Sequence, residues 1–375
     1  MNENKKKRGL LRHIAAALAT LAIITAALTL FIYRDKLTSD GLKSLFGSGS
    51  EKAPLGEAYA YETGANVLFA SAGNGLAVVS SSGMQLLDAS GYTVSKQIFS
   101  LASPAVSASG INCAFYDVGG TTLWVADFKG NIANINISDA IISVSVNQNG
   151  WISVVTEKTG YKAFITIYDA GLIPVYELHF GSAYVLSAHI SPDNKNVALL
   201  TAGAEGGGIS IYPLSSKEVS ASFSSPGELF IDISYINQNR ICAISESRAI
   251  VCDEKLNEKG SYDFGDLYLT NYTLDGSGFA AVFLGKYRSG NAGKLVTIGQ
   301  DGSLLAEKEV LQDLTSLSAS AKKLLVNYSD ELVLYSSELK QQGTYDDIIG
   351  TRGAILREKG DCLLLSSYSA EIFEF

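Results

Sequence analysis

A blurred repeat of roughly forty residues limits what this chain can fold into more than any other feature. It runs from about Val67 to Phe375, and each unit is a set of short apolar runs broken by Gly, Asn, Asp and Ser. Equivalent points fall near Val67, Pro104, Ala140, Tyr184, Leu229, Leu267, Leu314 and Thr351, at spacings of 36 to 47 residues. A unit of that size holds four strands of about five residues with tight turns, which is the content of one propeller blade. The repeat therefore predicts an all-β propeller, a fold that hosts many functions and names none.

The third unit shows the pattern. Ile141–Val146 alternates and a turn follows at Asn147-Gln148-Asn149-Gly150. Then come Trp151–Val155, Ala163–Tyr168, a turn at Asp169-Ala170-Gly171, and Val175–Phe180. The runs are rich in β-branched and aromatic residues and flanked by turn formers. Their near-continuous apolar character suits inner strands sandwiched between two neighbouring blades.

The ends of the array set the blade count. The unit beginning at Thr351 supplies only three runs, Ala354-Ile355-Leu356, Cys362–Ser366 and Glu371–Phe375. Ahead of the first unit, Glu57–Glu62 reads as a strand with no partner of its own. Placing it as the missing fourth strand closes the ring and removes exposed edges. The expectation is eight blades over residues 57–375, with seven as the alternative.

The first 33 residues carry Lys5, Lys6, Lys7, Arg8 and Arg12 against one acid, Glu3. Ile14–Tyr33 then holds no charge, and a helix of that length matches a hydrocarbon core of about 30 Å. Basic residues before the span predict a cytoplasmic tail (1–13), a transmembrane helix (14–33) and an exported remainder. A cleaved signal peptide is the competing reading, but its apolar stretch is shorter and ends in a small-residue cleavage site absent here. Residues 34–56 read as a linker. Leu42–Phe46 is either a short amphipathic helix or a strut on the propeller, and Gly47-Ser48-Gly49-Ser50 with Pro54 is a flexible tether. Beyond the span lie 24 basic and 37 acidic residues, a net of −13. Such a domain repels phosphate backbones, so no nucleic-acid partner is expected.

Two turn positions recur. The third strand ends in an acid before a glycine-bearing turn at Asp88-Ala89-Ser90-Gly91, Asp127-Phe128-Lys129-Gly130 and Asp169-Ala170-Gly171, with variants at Asp253-Glu254 and Gln300-Asp301-Gly302. The Asp accepts backbone N–H bonds and Gly supplies positive φ. First-to-second-strand turns also match, as in Ser191-Pro192-Asp193-Asn194 and Leu274-Asp275-Gly276-Ser277. In pattern, Ala58–Phe375 resembles WD-repeat-like and quinoprotein-like propellers. It lacks the Gly-His and Trp-Asp pair of true WD repeats. It also lacks the tryptophan docking motif of quinone-dependent dehydrogenases, since it holds only Trp124 and Trp151. The whole chain resembles an uncharacterised bacterial family of single-pass, membrane-anchored propellers.

No residue set for chemistry emerges. The four cysteines, Cys113, Cys242, Cys252 and Cys362, form no CxxC and read as small buried hydrophobes. Cys242 and Cys252 are symmetric about Ser247, so a tight hairpin would set them opposite each other. A disulfide there is one option, with free thiols favoured. Of the exported histidines, His179 lies in a fourth strand and His189 in a first strand, where it would line the central channel. Neither has a second ligand nearby. Gly203–Gly208 reads as a hairpin loop, and Gly290–Lys294 lacks the Ser or Thr of a phosphate loop. Asp346-Asp347 and Asp263 with Asp266 read as solvated loop acids. Tyr59, Tyr61, Tyr262, Tyr268 and Tyr272 offer an aromatic rim or blade packing, and strand alternation favours packing.

No catalytic, cofactor-binding or metal residue is assigned, and no cofactor is expected. The sequence points to a non-enzymatic binding module held outside the cell membrane, with an envelope protein or wall polymer as partner. The alternative is an extracytoplasmic hydrolase or lyase acting on glycans or peptides, with acids at the channel mouth. A buried acid pair in the channel with raised pKa would favour it.

Overall fold

The apolar runs become strands because β-branched and aromatic residues fit a pleated surface, and the Asp- and Gly-bearing breaks turn the chain back. A computed structural model of the protein describes residues 58–61, 64–288, 292–346, 348 and 350–375. The predicted tail, transmembrane helix and linker lie outside the described residues, as do Gly290, Asn291 and Asp347. Among the described residues no helix is long and apolar enough to cross a membrane.

The described chain forms eight four-stranded antiparallel sheets, the eight blades of a propeller. In chain order the strands run from β1 (Ala58–Ala60) to β32 (Ser369–Phe373). Seven blades use consecutive strands. The eighth is ordered β1, β32, β31 (Cys362–Leu365) and β30 (Gly353–Leu356). The N-terminal strand thus completes the last blade, with Ala58 opposite Glu371 and Ala60 opposite Ser369. The Tyr61 hydroxyl locks this strand by donating toward the Ser366 and Ser369 carbonyls, both at 2.7 Å.

The first strand of each blade lines the axis. These strands are β2 (Leu68–Ala72), β6 (Pro104–Ser109), β10 (Ile141–Val146), β14 (Tyr184–Ile190), β18 (Phe230–Asn237), β22 (Tyr268–Thr273), β26 (Leu314–Ser320) and β30. Second strands are buried on both faces, as in Gly75–Ser80 and Phe279–Gly285. The core is a series of apolar seams between neighbouring blades rather than one centre. One seam joins Ile236, Cys242 and Ile244 of the fifth blade to Leu274, Ala280 and Val282 of the sixth.

The recurrent turn acids act as expected. Asp88 Oδ1 accepts from the N–H groups of Ser90 and Tyr92, and Asp127, Asp169 and Asp253 repeat the arrangement. Positive φ falls three residues after the acid. Gly91 and Gly130 occupy that place in the first two blades, but Leu172 (φ 61°) and Leu256 (φ 57°) occupy it in the third and fifth. Gly171 therefore stands one residue short of the strained position.

The cysteine pairing differs from expectation. The hairpin turns through Glu246-Ser247, so Cys242 faces Val251 and Cys252 faces Ile241. A shift of one residue sends the two side chains to opposite faces of the blade. Cys242 lies in the seam with the sixth blade and Cys252 in the seam with the fourth. All four thiols are free and buried.

Gly203–Gly208 is the predicted hairpin loop. Its glycines let two backbones meet, since Gly207 N donates to Glu228 O at 2.6 Å and Gly227 N to Glu205 O at 2.7 Å.

Candidate functional site: the central channel and its two faces

First strands are edge strands, and their outward N–H groups need partners. Serines of the preceding blade supply two of them. Ser107 Oγ accepts from Val146 N at 3.0 Å, and Ser318 Oγ accepts from Leu356 N at 2.9 Å. At the same level of the ring, Ser145 Oγ lies 3.4 Å from His189 Nδ1. Cross-strand register places Ser234 and Thr273 on this level too, opposite Cys242 and Ala281. One belt of the channel wall is therefore hydroxyl-rich, with a single imidazole.

A second belt comes from irregularity. In five consecutive blades the first strand bulges at the same place, at Ile142, Leu186, Ile231, Thr270 and Thr315. A bulge adds one unpaired residue and re-aims its neighbours. Leu186 and Ile231 are exposed, at 39% and 45%. The residues that follow the bulges are Ser143, Ser187, Asp232, Asn271 and Ser316. Three of these, Ser143, Ser187 and Ser316, hold buried hydroxyl oxygens with no hydrogen-bond partner among the described residues. Sequence reasoning missed this belt, although an apolar residue or Thr followed by a small polar one recurs near each unit's start.

The channel has two ends. One is built by first-to-second and third-to-fourth strand turns and is called the turn face. A cavity of about 930 Å³ opens there, lined by Gln148, Pro192, Asn237, Asp275, Ser320 and Glu358 among others. The other end, the connection face, carries the inter-blade links and second-to-third-strand hairpins. Among the described residues, five of the six exposed tyrosines (Tyr161, Tyr184, Tyr268, Tyr287 and Tyr368) lie on the connection face, and Tyr92 lies on the other. Lys162 Nζ donates to the Tyr184 hydroxyl at 2.8 Å, and Arg288 sits 5.2 Å above the Tyr268 ring.

Two acids, Asp232 of β18 and Asp275 just after β22, carry raised carboxyls. Asp232 is partly buried, and its Oδ1 accepts from Ile233 N at 2.8 Å. Burial pushes its carboxyl up to about 6; Asp275 adds to the rise, and hydrogen bonds from Ile233 and Tyr272 offset part of it. Desolvation also raises Asp275, although its side chain is open to the cavity. Burial lowers His189 to about 4, which leaves its imidazole neutral at pH 7.

The other candidates scatter. His179 is exposed on its outer strand and packs edge-on against Tyr161 at 4.7 Å between centroids. Tyr59 and Tyr61 are buried at the ring closure, and Tyr272 joins Asp232, in line with packing roles. Tyr262 is half-buried and Tyr268 is at the surface. Asp263 binds its own loop, accepting from Gly265 N at 2.7 Å. Among the described residues no three His, Cys, Asp or Glu side chains are placed to hold a metal ion.

Solved structures share the architecture. The C-terminal WD40 domain of Sif2 superposes with a TM-score of 0.56 at 13% identity, over 80% of this chain and 92% of that one. BamB from Moraxella catarrhalis gives 0.53 at 11%, over 86% and 99%. The β-propeller domain of Cps50 (Swd1) from Myceliophteria thermophila gives 0.51 at 10%, over 76% and 98%. Likeness at such identity shows the fold alone. No curated protein sequence matches the chain. A family model described as a family of unknown function, DUF5711, matches residues 54–350, from the closing strand through the seventh blade, and the chain belongs to that family.

Proposed function

We propose that the protein is a non-enzymatic binding module, anchored in the cell membrane by residues 14–33 with its N-terminus cytoplasmic and its propeller outside. Its partner is an envelope protein, docked on the connection face. The observation that carries this reading is the concentration of exposed tyrosines there, beside the apolar bulge residues Leu186 and Ile231 and the exposed Leu229. Aromatic residues and arginine are enriched at protein interfaces and supply most of their binding energy. A wall polymer is the finer alternative for the same face.

Photocrosslinkers placed at Ile231 and Tyr268 in the membrane-embedded protein should trap a discrete protein adduct. The same probe at Tyr92, on the turn face, should not. Equal capture from both faces, or none from the connection face, would sink the proposal.

A second reading has one specific observation behind it. The Asp232 carboxyl, partly buried on a channel-lining strand and raised to about 6, is an acid of the kind that a glycan- or peptide-cleaving enzyme could use. Under this reading Asp232→Asn abolishes an activity on wall glycans or peptides that the wild-type protein shows. If wild type and variant turn over such substrates equally, Asp232 has no part in it.

A further inference from the structure

Beside the main cavity the channel wall opens into an alcove of about 160 Å³. Gln148, Pro192 and Tyr235 border both spaces, so the alcove is a side chamber of the channel near the turn face. Its polar lining comes from four different blades and includes Ser109, Ser145, Gln148, His189, Ser234 and Tyr235. No charged side chain lines it at neutral pH, since burial keeps His189 unprotonated and raises the Tyr235 phenol.

We propose that this alcove binds a small, uncharged polyhydroxyl compound about the size of one sugar ring. Three observations support it. A cavity of about 150 Å³ takes a six-membered carbon ring, so the volume fits a single ring. The hydroxyl, amide and imidazole groups can both donate and accept, which matches alcohol groups, whereas an ion would enter a wall offering no countercharge. Val146, Ile190 and the Tyr235 ring give apolar surface for the C–H face of such a ligand.

The site is also rigid and incompletely satisfied. Asn147 Nδ2 donates to Asn194 Oδ1 at 2.6 Å and Asn149 Nδ2 to Pro192 O at 2.7 Å, which ties together the two turns that frame the alcove. A wall held in this way loses little freedom on binding. Among the described residues the imidazole's hydrogen-bond contact is Ser145 Oγ at 3.4 Å, a long one, through Nδ1. Ligand hydroxyls can improve on it.

The test uses the full chain in detergent with isotope-labelled histidine. The chain holds three histidines, so each ring gives its own signal. Glucose, myo-inositol and glycerol are titrated as probes, with glucuronate as the charged comparison. The expected result is a saturable shift of the His189 ring alone with a neutral probe and little response to glucuronate. Ser145→Ala and Ser234→Ala should each weaken that shift about tenfold, with unchanged melting. No saturable shift with any neutral probe overturns the proposal. So does an equal response to glucuronate, or equal movement of His179. Should Ser145→Ala fail to fold, Ser234→Ala alone decides. The alcove lies away from the connection face, so failure of the crosslinking experiment leaves this proposal standing.

Discussion

Tyr59 and Arg357 meet at 3.2 Å across the closure of the ring, although 298 residues separate them in the chain. Arg357 is fully buried. Its guanidinium donates to both Asp361 carboxylate oxygens, through Nε at 2.8 Å and through Nη2, while Nη1 reaches the Asn74 carbonyl of the first blade. The Tyr59 hydroxyl in turn donates to the Ala89 carbonyl. One side chain therefore ties the N-terminal strand, the first blade and the last blade together.

Breaking that pair from one side leaves a buried charge uncompensated. Asp361→Asn should cost about 3–5 kcal/mol. The paired replacement of Arg357 by Met and Asp361 by Leu should recover most of that, because two apolar groups leave no charge to satisfy. Thermal denaturation of the three proteins checks this. Equal loss in the single and the paired variants would contradict it.

The closing strand is short but well packed. Tyr59 and Tyr61 are 1% and 4% exposed. Deleting residues 57–62 removes both and exposes the edge of β32, a loss of about 4 kcal/mol or more at roughly 2 kcal/mol per buried aromatic. The deletion variant should melt well below the full chain. If the two melt alike, this strand does not close the ring.

Asp232 and His189 titrate against each other. Asp232 rises from 3.8 to about 6 on folding, so its contribution is full below 3.8 and is lost as pH rises through 6. His189 falls from 6.5 to about 4, so its contribution is full above 6.5 and is lost as pH falls through 4. Each change corresponds to about 3 kcal/mol at most, and the two slopes oppose across the same window. Asp232→Asn should make melting temperature climb more steeply between pH 4 and 6.5. His189→Gln should tilt it the other way. Unchanged slopes in both variants would refute the opposition.

Leu172 and Leu256 share a left-handed backbone but not the same burial. That conformation costs about 1–2 kcal/mol for a residue with a side chain. Leu256 is 5% exposed in the seam between the fourth and fifth blades, whereas Leu172 is only partly buried. Truncating a buried leucine costs about 2–5 kcal/mol. Leu256→Gly should thus destabilise by about 1–3 kcal/mol, while Leu172→Gly should be close to neutral. Denaturant midpoints separate the two.

Cys242 and Cys252 point into different seams, so exposure to oxygen should leave them unlinked. Alkylation in denaturant without a reductant should label four thiols per chain. A product with two labels would show a bridge and overturn the register.

The sequence by itself determined the architecture. Repeat length gave four strands per blade, and the three-run eighth unit with its orphan strand at Glu57–Glu62 pointed to the closure and to eight blades over the alternative of seven, a count the sheet order settles. Those are local and periodic signals, carried by apolar alternation and turn chemistry within a few residues. The Asp-led turns were legible for the same reason. Other features depend on which residues face each other across strands or blades. The one-residue register that separates Cys242 from Cys252 depends on the length of a single turn. The bulge belt depends on how inner strands crowd the axis, and the alcove at His189 gathers side chains from four blades. The full burial of Arg357 likewise follows only from closure of the ring. Propeller closure brings together groups hundreds of residues apart, and the burial and pKa of those groups follow from that closure, so only the tertiary structure could decide them.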